Sequence, residues 1–306
     1  MQHYNSLEAI HLQNAWLTIG IFDGVHRGHQ EILRALISGA RGAGEPAVVL
    51  TFSPHPAVVL GGKSDFKYLT TPDERVDLLG SLGVDVVITQ AFDHALANQT
   101  ASEFMHKLVN ALNLRHLIIG YDTALGRGRE ADAARLQEIG NELGFSVQVV
   151  PALADSAGIL SSTRIRRAIL AGNVSAAASD MGRTFFVTGP VVHGDGRGHT
   201  INIPTANIQI PPDKIMPAYG IYACRAWVGG KPYLAATSVG IRPTFYTEPA
   251  APTIEAHLLD FHQNLYGRQV KLEFIEYLRP EEKYDTVEAL LAQIQKDIEK
   301  IKVILG

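Results

Sequence analysis

Cysteine is almost absent from this chain of 306 residues. Cys224 stands alone, so no intramolecular disulfide and no cysteine-rich zinc site can form. It lies in the apolar run IYACRAW, which predicts a buried structural thiol and not a reactive one. An excess of charge is lacking too: 27 Lys and Arg face 31 Asp and Glu. That balance excludes a general electrostatic grip on nucleic acid, so any anionic substrate must be met locally. No apolar stretch approaches the roughly 18 residues of a membrane span. The opening MQHYNSLEAI has no basic segment followed by an apolar core, the pattern of a secretory leader. Internal repeats and low-complexity tracts are also missing. These absences predict a cytoplasmic, soluble protein with no membrane or nucleic-acid partner; oligomeric state stays open.

What is present is enough chain for two domains at about 100 to 200 residues each. In the first half, apolar runs alternate with helical patterns. Strands are predicted at Ala15–Ile21, Ala47–Phe52, Val84–Thr89, His116–Gly120 and Phe145–Val150. Helices are predicted from Gln30, over Thr71–Leu82, over Thr100–Leu112 with Thr100 and Glu103 as a capping box, and over Ala131–Leu143. This order implies a doubly wound parallel sheet, in which ligands bind outside the carboxyl ends of the strands. Residues 171–182 read as small and irregular, with Gly172 a helix stop, and place the boundary near Gly182. Residues 1–182 and 183–306 are thus the expected domains. Beyond Phe185 come six short β-rich runs separated by Gly and Pro, which suggest a small antiparallel barrel. A last helix is expected over Thr286–Leu305, its start marked by Asp285 and Glu288.

Several motifs stand at strand ends. The first is GIFDGVHRGH, Gly20 to His29. Gly20, Gly24 and Gly28 permit a sharp turn and close approach to a ligand, and the following helix N-terminus offers N–H groups to an anion. His26 and His29 would then donate hydrogen bonds to phosphate oxygens as charge builds on them. The second is SPHP with His55, and the third GYDTALGRGRE from Gly120 to Glu130. Next, LSSTRIRRAI begins a helix on which the hydroxyls of Ser162 and Thr163 and the guanidinium of Arg166 suit phosphates. In the second half, HGDGRGHTINIPTAN carries Gly194, Gly196 and Gly198, whose N–H groups could wrap a polyphosphate. Thr205 and Asn207 follow with neutral oxygens suited to magnesium. Alternation in TIEAHLLD puts Glu255, His257 and Leu259 on one face, from which Glu255 is expected to point inward.

Together these motifs resemble those of the bacterial bifunctional riboflavin kinase/FAD synthetase family, a branch of the HxGH nucleotidylyltransferases. The resemblance runs through GxFDGxHxGH, FxPHP, SSTxIR and GxGRGxxxGxPTAN, in order, over nearly the whole chain. It implies a Rossmann-like FMN adenylyltransferase domain followed by a riboflavin kinase barrel with a C-terminal helix. It further implies that His26, His29 and Arg166 act in adenylyl transfer. Gly20, Phe22, Asp23, Gly24, Gly28, His55, Gly120, Asp122, Ser162 and Thr163 would lie at that nucleotide. Glu255 would be the general base of the kinase, Gly194, Gly196 and Gly198 its nucleotide cradle, and Thr205 and Asn207 its Mg²⁺ ligands. ATP would serve as substrate at both sites, with riboflavin, FMN and FAD bound as substrates and products.

Four positions depart from the family pattern. Asn202 and Ile203 stand for a glycine and a phenylalanine, and Thr123 and Leu125 occupy the flavin-facing positions where phenylalanines are usual. Tyr121, Phe92 or Phe66 would then have to supply a flat surface for the flavin. That departure motivates another reading, a kinase whose adenylyltransferase half is altered or inactive; a third, a non-catalytic flavin or nucleotide sensor, would keep both pockets without needing a base.

Overall fold

The structure is a computed structural model that describes residues 1–62, 65–194, 203–241 and 252–306. Contacts divide the chain into two units, Met1–Ser162 and Thr163–Gly306. The first contains strands β1 (Gln2–Tyr4), β2 (Trp16–Ile19), β3 (Ala47–Ser53), β4 (Val86–Ala91), β5 (His116–Gly120) and β6 (Ser146–Val150). Helices α1 (Arg27–Ala43), α2 (Pro56–Gly61), α3 (Pro72–Ser81), α4 (His94–Ala97), α5 (Ala101–Leu112) and α6 (Ala133–Leu143) intervene. All strand pairs are parallel, in the order β1-β4-β3-β2-β5-β6.

Alternate side chains of each strand feed two cores, one on each face of the sheet. On one face Leu17, Val48, Leu50, Leu117 and Ile119 pack with Phe104, Leu108, Leu136 and Ile139 of α5 and α6. On the other, Val49, Val87 and Ile118 pack with Leu33, Leu36 and Ile37 of α1 and Val76 and Leu79 of α3. Burial on both faces explains why these strands read as continuous apolar runs, the mark of a parallel sheet. The chain adds strands outward from β2 through β3 and β4, then returns to place β5 on the other side of β2. The carboxyl end between β2 and β5 is therefore the topological switch point. Thr71 and Thr100 both form the capping boxes with Glu74 and Glu103 that hold the starts of α3 and α5.

A short hairpin, β7 (Ala154–Asp155) and β8 (Gly158–Ile159), precedes α7 (Ser162–Leu170). The expectation of irregular chain over 171–182 needs correction. Gly172 does stop α7 with φ of 77°, but Val174–Met181 forms a further helix, α8, capped by Asn173. Its small residues hide the helical pattern, yet Val174, Ala177 and Met181 recur at the spacing that buries one face. Arg164 of α7 and Asp180 of α8 are joined at 2.8 Å.

The second unit is dominated by six antiparallel strands: β9 (Phe185–Val192), β10 (Ala206–Ile208), β11 (Gly220–Val228), β12 (Lys231–Ile241), β13 (Pro252–Leu258) and β14 (Gln269–Arg279). They close in the order β10-β13-β12-β11-β14-β9, with β9 paired to β10. Closure removes the exposed sheet edges that short β-rich runs would otherwise present. Cys224 is fully buried in β11 and burial pushes its thiol up, so it is inert at neutral pH.

The last helix, α9 (Val287–Leu305), starts at Thr286, whose hydroxyl accepts from the Ala289 N–H. Ile301 packs with Ala223 and Leu259 on the outside of the barrel. Arg279 at the end of β14 donates through Nε and Nη2 to Asp297 of α9, at 3.1 and 2.8 Å. A buried fork of this kind is costly to break from one side, because the remaining charge stays out of water. Asp297→Ala is expected to destabilise the second unit by about 3 to 5 kcal/mol, read as a lower urea midpoint of barrel unfolding.

Candidate active sites

The first site grows from the loop between β2 and α1. Phe22 and Val25 adopt φ of 51° and 37°, a region that side chains with a Cβ rarely visit, and Gly24 has φ of 82°. Asp23, only 2% exposed, holds this conformation. Its carboxylate accepts from the N–H of Leu69 at 3.1 Å and from the N–H and hydroxyl of Thr70 at 3.0 and 3.2 Å. The Thr70 hydroxyl in turn accepts from the Gly24 N–H at 3.0 Å. Ser162, expected at the nucleotide, donates its hydroxyl to the Asp23 carbonyl at 2.9 Å. Asp23 therefore braces the loop that leads into α1.

The brace sets the two histidines. His26 caps α1, accepting the His29 N–H on Nδ1 at 3.3 Å, and is 5% exposed. With Nδ1 an acceptor, neutral His26 carries its proton on Nε2 and presents a donor there. The two imidazoles stack with centroids 3.6 Å apart, and Phe22 meets His29 edge-on at 5.1 Å. Gly28 follows His26 in the first turn; a methyl there would lie 3.2 Å from the His26 ring. Gly20 leads into the loop and is bonded through its N–H to the Leu50 carbonyl at 3.1 Å.

At the end of β3, His55 caps α2 in the same way, with Nδ1 accepting the Ala57 N–H at 3.0 Å. Its own N–H donates to the Tyr68 hydroxyl at 2.8 Å, and Phe66 lies over its ring at 4.2 Å. At the end of β5, Gly120 approaches Ile32 of α1 so closely that a methyl would sit 3.1 Å from it. Its carbonyl accepts the Thr123 N–H at 3.1 Å, and Arg129 donates to the Asp122 carbonyl at 2.9 Å. Leu125 is clasped to Ala131 by a pair of backbone hydrogen bonds and packs on the core. Phe92 also packs there, against Phe52. Of the three aromatics considered for a flavin surface, Phe66 and Tyr121 are the two outside the core, Tyr121 being 47% exposed. Thr163 and Arg166 lie on α7 within the second unit.

The second site is centred on β10. Asn207 stands directly across from Glu255 in the β10–β13 ladder. The Thr205 hydroxyl donates to Glu255 Oε2 at 3.4 Å. Glu255 does share a face with His257, but not the inward one: Ile254, Ala256 and Leu258 are the buried residues of β13. Alternation identifies which residues go together; only barrel closure says which set is enclosed. His257, absent from the sequence-based assignment, donates from Nδ1 to the Pro204 carbonyl at 2.8 Å and so steadies the segment carrying Thr205. Gly194 admits the Asn207 amide, since a methyl on Gly194 would lie 2.2 Å from Asn207 Nδ2. Gly196, Gly198 and Asn202 lie outside the described residues.

No cluster of three or more His, Cys, Asp or Glu occurs among the described residues. The donors at the second site are a hydroxyl, an amide and one carboxylate, hard oxygens that fit magnesium. Comparison with known proteins matches both halves of the chain. Residues 9–164 match the family model for FAD synthetase, and residues 181–305 match that for riboflavin kinase. The chain belongs to the bifunctional riboflavin kinase/FMN adenylyltransferase family. Such an enzyme from Listeria monocytogenes is 35% identical over 93% of this chain and 90% of its own length. One from Escherichia coli is 36% identical over 92% and 90%. A crystal structure described as a macrolide-efflux protein from Streptococcus pneumoniae superposes with a TM-score of 0.90 at 33% identity, covering 98% of both chains. No described helix of the present chain is long and apolar enough to cross a membrane.

This bifunctional enzyme thus phosphorylates riboflavin to FMN and adenylylates FMN to FAD, each with ATP. Neither alternative reading gains support, because both catalytic domains match. Gly194→Ala is expected to abolish FMN formation from riboflavin while FAD formation from supplied FMN continues, a contrast that chromatography of the two products reads directly.

Proposed function

We propose that the stacked pair His26 and His29 stabilises adenylyl transfer and that Glu255, hydrogen-bonded to Thr205, is the base of the kinase. The observation that carries the first assignment is the pairing of two imidazoles, centroids 3.6 Å apart, on the helix start at the sheet's switch point. An FMN phosphate oxygen attacks the α-phosphorus of ATP, the bond to the β-phosphate breaks, and pyrophosphate leaves. His26 Nε2–H and His29 stabilise the charge that gathers on the non-bridging oxygens. The α1 N–H groups add to this, with Gly20, Phe22, Gly24, Gly28, Gly120 and Asp122 shaping the cradle. Ser162, Thr163 and Arg166 serve the departing pyrophosphate, and His55 the neighbouring phosphates.

In the kinase, Glu255 takes the proton of the terminal ribityl hydroxyl as that oxygen attacks the γ-phosphorus and ADP departs. Thr205 and Asn207 would hold Mg²⁺, which neutralises charge between the phosphates when bound. Gly194, Gly196 and Gly198 are assigned to the nucleotide phosphates. The functional boundary proposed near Gly182 is supported by the riboflavin kinase match, which begins at residue 181. A cytoplasmic location accords with the use of ATP at both sites and with a lone, buried cysteine.

The flavin of the adenylyl reaction lies by Thr123 and Leu125 and stacks on Phe66, the half-buried ring over His55. Aromatic stacking of a base-like ring contributes roughly 1 to 3 kcal/mol. Phe66→Ala should therefore raise the KM for FMN about tenfold, with the KM for riboflavin in the kinase reaction unchanged. Separately, Glu255→Gln should cut FMN formation by about 100- to 10,000-fold and leave FAD synthesis from FMN intact. His29→Ala should do the reverse. A Glu255→Gln enzyme with full kinase turnover would overturn the base assignment.

A further inference from the structure

Arg75 is fully buried and takes no part in the chemistry described above. A guanidinium cannot shed its charge, so its burial demands partners on every side. It sits in the first turns of α3, whose start is locked by the Thr71–Glu74 capping box and whose Val76 and Leu79 are anchored in the core. From there Nη1 donates to the Ile21 carbonyl at 2.7 Å and Nη2 to the Phe52 carbonyl at 3.4 Å. Asp23 and Tyr68 supply favourable charge interactions that oppose the effect of burial, which lowers its pKa. Nε has no hydrogen-bond partner among the described residues.

The two carbonyls define what this side chain does. Ile21 immediately precedes Phe22, where the backbone enters its positive-φ stretch, and leads to His26 and His29. Phe52 lies three residues before His55. The Thr51 hydroxyl also donates to the Ile21 carbonyl, at 3.1 Å, so that oxygen is held from two directions. Arg75 thereby spans the exits of β2 and β3, which launch separate phosphate loops.

We propose that Arg75 is a positioning residue for adenylyl transfer, fixing the spacing between the His26/His29 loop and the His55 loop. It is closed off from the surface, and its planar fork reaches two carbonyls where a lysine would reach one. Small errors in the placement of phosphate-stabilising groups reduce turnover by up to about 100-fold, whereas binding is spread over many contacts.

The test uses the whole chain. Trp16 lies in the first unit and Trp227 in the second, and these are the only tryptophans. In a Trp227→Phe background the emission of Trp16 reports folding of the first unit alone. In that background Arg75→Met is expected to lower kcat for FAD formation from FMN about 10- to 100-fold. KM for FMN and ATP should stay within about threefold, riboflavin phosphorylation should be unchanged, and Trp16 should keep its native emission. Arg75→Lys should fall between Met and the parent. Unchanged kcat in Arg75→Met, or a loss of kcat matched by the unfolded fraction of Trp16, overturns the proposal. If Arg75→Met does not fold, Arg75→Lys decides: at native Trp16 emission, a kcat reduced at least threefold supports positioning, and a parental kcat refutes it.

Discussion

A carboxylate taken out of water and given over to its own backbone underlies the adenylyl site. Asp23 accepts from Leu69 and Thr70, and Thr70 returns a bond to Gly24. Two non-glycine residues of that loop, Phe22 and Val25, have positive φ; such conformations cost of order 1 to 3 kcal/mol each and persist only where the surroundings impose them. The surroundings here are the buried acid, the two-sided hold on the Ile21 carbonyl and the packing of Phe22 in the core. Released from them, the loop would relax and the imidazole stack at the head of α1 would lose its reason to exist.

The kinase site solves a similar problem with different means. No strained loop is required among its described residues; the barrel register sets Asn207 opposite Glu255, and His257 anchors the segment just before Thr205. Strand pairing is stiff, so two oxygen-bearing side chains on facing strands keep their separation without further bracing. One chain therefore carries two answers to the same demand, the accurate presentation of groups to a polyphosphate. One relies on a helix start and braced loop, the other on a ladder.

Histidine has two distinct uses in these sites. In His26 and His55 one ring nitrogen is tied up as a helix cap, which fixes the tautomer and leaves a donor at Nε2. In His257 the proton is on Nδ1, directed at a carbonyl. The protonation pattern is thus set by the backbone around each ring, and the same residue type becomes a helix cap in one place and a strut in another.

Much of this was legible before any coordinates. Continuous apolar runs separated by amphipathic stretches specify a parallel sheet because a strand buried on both faces has no polar side to show, and the capping box at Thr100 follows from four adjacent residues. Short-range motifs likewise announced the loops at the strand ends, since a glycine or histidine at a set offset from a strand end is a local property. Tertiary structure alone decided the rest. That Asp23 braces its own loop by bonding a residue 46 positions away, that Glu255 lies on the outer face of the barrel, and that Arg75 is interior and not a solvated helix residue all depend on contacts between distant segments. Sequence spacing says which side chains share a face; which face is closed to water is settled only when the sheet is covered and the barrel shut.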